Sequence, residues 1–260
     1  MTLISRINFS GINTKQNQNI DIQNKNIVNS NKTTEKTTKN PSGDLLKTYF
    51  MGKNRFKMGS AECNCYIKQD TIIKFPVSKV NLEDQDLSCF NLSTINLYDS
   101  NLKNTVIDSG DFSNSEVVNC DFSGSVLNTV HFFKTNAKNS NFENSIFAGN
   151  DIRYANFSGA NLKNAFMAKL NFNHTNLKNA NMEGVNFIDS NLKNAIIDEN
   201  TNFKNAIYDD RTIFPEGFNP EEKGMINFKN LSEEQQSIIK KQVKNCTLGT
   251  VKEIITSFQS

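Results

Sequence analysis

Tryptophan is absent from the chain, and histidine (2), proline (4) and cysteine (5) are scarce among its 260 residues. With two histidines, a His-rich metal or acid–base site is disfavoured. Five scattered cysteines cannot all pair, so a disulfide framework is not expected and a reducing compartment is. No run of about 18 apolar residues occurs, which excludes a transmembrane helix by sequence. The first residues lack the charged-then-apolar pattern of a signal peptide, so export by that route is not expected. Charge of one sign is lacking too: 29 basic against 27 acidic residues give a net charge of +2, which supplies no electrostatic prior for nucleic acid.

What is present falls into zones. Residues 1–43 are rich in Asn, Ser, Thr, Gln and Lys without sustained hydrophobic period. They read as a disordered leader, because such a segment cannot bury enough apolar area to offset chain entropy. Residues 44–79 hold apolar side chains and the strand-like TIIKF, and read as a small N-terminal cap. From residue 80 a five-residue rhythm sets in. All 24 positions taken in steps of five from Leu82 to Ile197 are apolar, Phe112, Phe122, Phe132, Phe142 and Phe157 among them, and Ala137 is the only small one. Two residues before each centre the side chain is usually small (Ser115, Cys120, Ser125, Ala155, Ala160, Ala165), and the residue just before the centre is usually Asn or Asp. A period of five fits neither a helix nor a simple strand. It marks an internal repeat of solenoid type, in which a large and a small inward residue fill a narrow core and Asn or Asp turns the chain.

Ala155-Asn156-Phe157-Ser158-Gly159, Ala160-Asn161-Leu162-Lys163-Asn164 and Ala180-Asn181-Met182-Glu183-Gly184 resemble the repeat A(D/N)LXX of the pentapeptide repeat family. The resemblance implies an all-β fold over residues 80–213, a right-handed quadrilateral parallel β-helix with four repeats per coil. Twenty-four repeats then make six coils, a rod about 29 Å long at about 4.8 Å per coil. After Ile197 the rhythm slips by one residue and is expected to resume at Phe203, Tyr208 and Ile213. Stacking across coils, twenty residues apart, should place Phe112 below Phe132 and Phe122 below Phe142.

Residues 214–260 begin with the turn-rich FPEGFNP and end in two helix signatures. Ser232-Glu233-Glu234-Gln235 and Thr250-Val251-Lys252-Glu253 both read as capping boxes. The second helix carries Val251, Ile254, Ile255 and Phe258 on one face, a candidate partner helix through which two copies would dimerise; the competing reading is that the helices cap the rod.

The outward positions, compared every twenty residues, single out one flank. Val106, Val126, Ile146 and Phe166 stand where the repeat usually has Asn or Asp, with Ala148, Ala168 and Ile188 beside them. Apolar replacement along one face marks either a protein-docking strip or a surface covered by the chain's own termini. A second column runs Asn91, Asp111, His131, Asp151, Asn171, Asn191. It lacks a nucleophile or second His and reads as an exposed ladder. Cys63 and Cys65 form a lone CxC without a second pair, and Cys120 falls at a small inward position and reads as packing. No cofactor, metal or catalytic constellation is expected.

The first reading of function is thus a non-catalytic protein–protein interaction scaffold with no nucleic-acid partner. The Ser/Thr/Asn-rich, acid-poor start is similar to the leaders of bacterial type III secreted effectors, and the layout is similar to PipB-like effectors and the rod part of SopA-like and NleL-like effectors. That likeness implies a bacterial cytoplasmic protein destined for a host cell. The 47 residues after position 213 are too few for the ligase domain of the last two. The alternative is a DNA mimic binding DNA gyrase, as Qnr-like and MfpA-like pentapeptide proteins do. A net charge of −6 over residues 80–213, with interspersed lysines, gives it little electrostatic support.

Overall fold

Every large apolar residue of the five-beat series from Leu82 to Leu192 points into one dry column, and none of them is more than 2% exposed. The computed structural model describes residues 76–88 and 90–259. Within them the chain winds as a right-handed parallel β-helix, each coil paired to the next twenty residues on: Asn81 with Asn101, Asn101 with Asp121, Asp121 with Asn141 and Asn141 with Asn161. The backbone bonds run in both directions between coils. Leu82 N–H donates to Asn101 O at 2.7 Å, and Asn101 N–H donates to Val80 O at 2.8 Å. Most sides of the square consist of such single bridges. The longer strands are β1 (Pro76–Ser78), β2 (Asn96–Tyr98), β3 (Val106–Asp108), β4 (Val126–Asn128) and β5 (Ile146–Ala148). β1 pairs with β2, and β3, β4 and β5 form a parallel three-stranded sheet. Val106, Val126 and Ile146 stand in register across that sheet, where β-branched side chains favour extended backbone.

Each residue type of the repeat has a physical task. Asn or Asp before the centre accepts the N–H two residues on, as Asn156 Oδ1 does from Ser158 N at 3.1 Å. Its amide also donates to the Asn one coil back: Asn156 to Asn136 (3.0 Å), Asn176 to Asn156 (3.1 Å) and Asn181 to Asn161 (3.1 Å). At the small inward position Ser and Thr hydroxyls satisfy carbonyls of the neighbouring coil, Ser125 to Leu102 O (2.9 Å) and Thr175 to Ile152 O (2.9 Å). The second residue after the centre turns the corner with positive φ, and Asn, Asp or Gly usually fills it. At Gly159 a Cβ would sit 2.4 Å from Asn139 Oδ1, so the amide of one coil and the bare glycine of the next fit together.

The phenylalanine ladders form as the period requires. Phe112 and Phe132 stack at 5.3 Å with planes 3° apart, and Phe122 and Phe142 at 4.8 Å and 6°. Where Ala137 leaves room, Phe157 meets Phe142 edge-on at 5.4 Å and Phe132 at 6.4 Å.

The C-terminal coil departs from the rhythm twice, once more than the sequence suggested. Asn181 pairs with Asn202, and Asn191 with Ile213, so single residues are inserted at 198–201 and again at 209–212. Both insertions build the same latch: the Thr201 hydroxyl donates to Asp198 Oδ1 (2.9 Å), and the Thr212 hydroxyl to Asp209 Oδ1 (3.0 Å). The second insertion corrects the expected centre at Ile213. That residue takes the outward position, 49% exposed, while the neighbouring Phe214 packs against the core. Phe214, Phe218 and Met225 then plug the end of the column, with Phe218 edge-on to Phe203 at 5.2 Å. β6 (Ile207–Tyr208) pairs with β7 (Ile226–Asn227).

A 3-10 turn, Phe228–Asn230, leads to α1 (Glu233–Leu248) and α2 (Val251–Gln259). Both expected capping boxes are present. Ser232 and Gln235 exchange bonds between side chain and backbone, as do Thr250 and Glu253. The helices contact β4 and β5 along the flank, whereas the end is closed by the turn segment that precedes them. The expected cap at 44–79 and the leader at 1–43 lie outside the described residues.

Candidate functional site

The two surfaces singled out as candidate interfaces are packed against each other. Val126, Ile146, Ala148, Phe166, Ala168 and Ile188 form one buried cluster with Ile239 of α1 and Ile254, Ile255 and Phe258 of α2, with Val106 and Val251 at its edge. Phe166 meets Phe258 edge-on at 5.0 Å. This corrects both the docking strip and the dimerising helix: neither apolar face is open in this structure. The reason lies within the chain. A helix with an apolar stripe and a flank without its Asn ladder lie in one chain, and burying both removes both from water. Cys246 of α1 packs against this cluster, and burial pushes its thiol up to about 12. Cys120 is in the core as expected, its Sγ donating to Leu97 O at 2.8 Å, and burial likewise pushes it up to about 12.

The surface that remains open carries a different cluster. Phe133 follows the centre Phe132. Tyr154 and His174 occupy the positive-φ corner one and two coils further on. Phe133 and Tyr154 meet edge-on at 5.6 Å, and Tyr154 stacks on His174 at 4.9 Å. Lys134 Nζ and the Arg153 guanidinium lie 5.3 and 5.9 Å from the Phe133 ring centre, within cation–π range. Tyr154 is 45% exposed and has φ +60°, a region that disfavours bulky side chains. Beside this cluster runs the expected ladder, Asp111 to His131 to Asp151, bridged coil to coil. Arg153 holds Asp151 with two bonds of 2.8 Å. That fork, ahead of the opposing effect of partial burial, keeps the Asp151 carboxyl below its ordinary range. The sequence comparison passed over Phe133, Tyr154 and His174 because positions after the centre were compared only beside Val126, Ile146 and Phe166, not on this side of the rod. The same comparison one and two residues after the centre shows aromatic rings among Ser, Lys and Asn.

Among the described residues no group of three His, Cys, Asp or Glu is placed to hold a metal ion, and no helix is long and apolar enough to cross a membrane. The geometry defines a right-handed parallel β-helix solenoid with a helical brace on one flank. Residues 127–164, 155–194 and 168–207 match the family of pentapeptide repeats in eight copies. Residues 127–207 of the rod are thus pentapeptide repeats. No curated protein matches the chain. Solved structures similar to it include QnrB1, a plasmid-mediated fluoroquinolone resistance protein (11% identity, 64% of this chain and 86% of that one, TM-score 0.33). HetL, a pentapeptide repeat protein involved in heterocyst differentiation regulation from Nostoc sp. strain PCC 7120, is 16% identical over 73% of this chain and 93% of its own, with TM-score 0.29. Rfr23 from the cyanobacterium Cyanothece 51142 is 19% identical over 53% and 86%, with TM-score 0.26. Superposition at these scores supports no transfer of function.

Proposed function

We propose that the chain is a non-catalytic scaffold that docks a protein partner on the exposed column Phe133–Tyr154–His174. The observation that carries this reading is Tyr154. A ring at a left-handed corner costs roughly 1 kcal/mol, and the exposed site recovers little of it by burial. Asn, at home in neighbouring corners such as Asn144 and Asn164, would serve the fold better. Aromatic rings beside cations are the composition of interface anchors, and the partner chemistry that fits is an acidic segment with an apolar or aromatic side chain. Binding by the paired variant Phe133→Ser, Tyr154→Asn tests the reading. Cross-linking of the full chain should identify a partner that the paired variant loses while its melting temperature does not fall. Retention of the same partner by that variant refutes the docking column.

The finer reading, a type III secreted effector acting on a host protein, rests on the acid-poor leader of residues 1–43. Fusing those residues to a reporter tests it: secretion through the type III system supports delivery, and retention in the bacterium removes it. The gyrase reading has a narrower footing. Acidic residues such as Glu83, Asp84, Asp99 and Asp111 crowd the first coils, but Lys163, Lys178, Lys193 and Lys204 follow. A supercoiling assay without inhibition at micromolar protein excludes it.

A further inference from the structure

A groove of about 320 Å³ runs between α1 and the rod, apart from the Phe133 column. Its floor is apolar: Ile188 from the rod, Ile239 from α1 and Phe228 from the turn between them. Its rim is basic. Lys169 enters from a rod corner at φ +60°, and Lys240 and Lys244 from α1. Asp209 and Arg211 also line the groove and are committed to each other, with Arg211 bonded to Asp189 and Asp209 at 3.1 Å each. Lys169, Lys240 and Lys244 form no ion pair among the described residues, and Lys240 Nζ lies 5.7 Å from the centre of the Phe228 ring.

Three unneutralised amines around one concavity repel each other, and the repulsion is strongest where low-dielectric walls focus the field. An anion relieves it. Inorganic phosphate alone would leave the apolar floor wet, and a neutral hydrocarbon would leave the amines unpaired. The volume lies at the small end of ligand sites, which run from about 300 to 1,000 Å³. We propose that this groove binds a small soluble amphipathic anion, a phosphate or carboxylate head on a short hydrocarbon or aryl body. The head would sit among Lys169, Lys240 and Lys244, and the body on Ile188, Phe228 and Ile239.

The test is calorimetric titration of the full chain with octyl phosphate below its micelle concentration, beside octanol and inorganic phosphate. Saturable binding of octyl phosphate should be at least about tenfold tighter than either fragment. Lys169→Asn, which places a common corner residue at that turn, and Lys244→Gln should each weaken it by roughly tenfold, the effect of losing one charged contact of about 1.4 kcal/mol. Unchanged melting temperatures would show that both variants fold. Equal affinity for octanol, equal affinity for phosphate, or affinity indifferent to both lysine variants overturns the proposal. So does binding only to phosphatidate-containing vesicles, which would assign the amines to a membrane surface, or only to an acidic peptide, which would assign the groove to a protein partner.

Discussion

Replacing Phe166 by Asp isolates the joint between rod and helices. Asp is native at the same repeat position elsewhere, as Asp86 in that column and Asp111, Asp121 and Asp151 on other sides of the rod show, so the winding itself should accept it. What changes is the contact with Phe258, 5.0 Å between ring centres, and the cluster around Ile254 and Ile255. Phe166 is 3% exposed. Truncating a buried Phe typically costs about 3–5 kcal/mol, and a carboxylate left under the helices adds to that. Helices of 16 and 9 residues are marginal in water without a packing face. The helical brace should therefore open while the rod stays wound. At about 1.4 kcal/mol per decade, the loss corresponds to roughly two to three and a half decades in the opening equilibrium. Cys246 reports it, because burial pushes its thiol up to about 12 and suppresses reaction. Alkylation of Cys246, partly buried against the cluster, followed by peptide mass spectrometry, should accelerate, and amides of residues 233–259 should lose protection. Amides around Phe112, Phe122 and Phe142 should exchange as before. An unchanged alkylation rate with unchanged helix protection refutes the argument.

Four further outcomes are expected. Phe142→Ala removes a ring packed against Phe122, Phe132, Phe147 and Phe157 and should lower stability to urea by about 3–5 kcal/mol; a loss under 1 kcal/mol would mean the column repacks. Ser115→Ala should be neutral or raise stability by up to about 1 kcal/mol, a few degrees in thermal melting, because the buried Ser115 hydroxyl has no hydrogen-bond partner. Tyr154→Asn should stabilise the rod by roughly 1 kcal/mol on relief of the left-handed corner; destabilisation would show that the ring is structural. The N–H of Asn179 foremost, then the Thr201 hydroxyl, hold Asp198 below its ordinary value of 3.8. At Asp209 partial burial pushes upward but is outweighed by the Asp189 N–H, Thr212 and Arg211. Both carboxyls are depressed in the folded state, so their contribution is present above pH 3.8 and fades as pH falls through the lower folded values. Urea midpoints should drop below about pH 4 and flatten in the pair Asp198→Asn, Asp209→Asn; an equally steep drop in that pair would place the acid sensitivity elsewhere.

How far the molecule was legible follows from what each signal encodes. The large–small–polar rhythm specifies inward and outward directions residue by residue, so the coil, its Asn ladders and the stacking of Phe122 on Phe142 could all be read in advance. Capping boxes are local, and Ser232 and Thr250 announced both helices. The insertion at 209–212 was hidden because Ile213 is apolar and sat on the beat, although an Asp–Thr latch like that of Asp198 and Thr201 repeats there. The strip from Val126 to Ile188 and the face of α2 were each visible, but apolarity says only that a surface wants a cover and not whose. Phe166 and Phe258 are 92 residues apart in the chain, and no local pattern links them. The Phe133–Tyr154–His174 column needed a comparison across coils at corner positions, where the fold asks only for a turn.

The helical brace also gives the solenoid a direction. Stacked repeats usually gain stability only from nearest neighbours, so either end can fray. Here Val126, Ile146, Phe166 and Ile188, on four successive turns, are held by one splint, and those turns must be released together. The turns before Val106 have no such splint among the described residues. Under mechanical load the braced turns should thus give way in a single step, after the described turns before Val106.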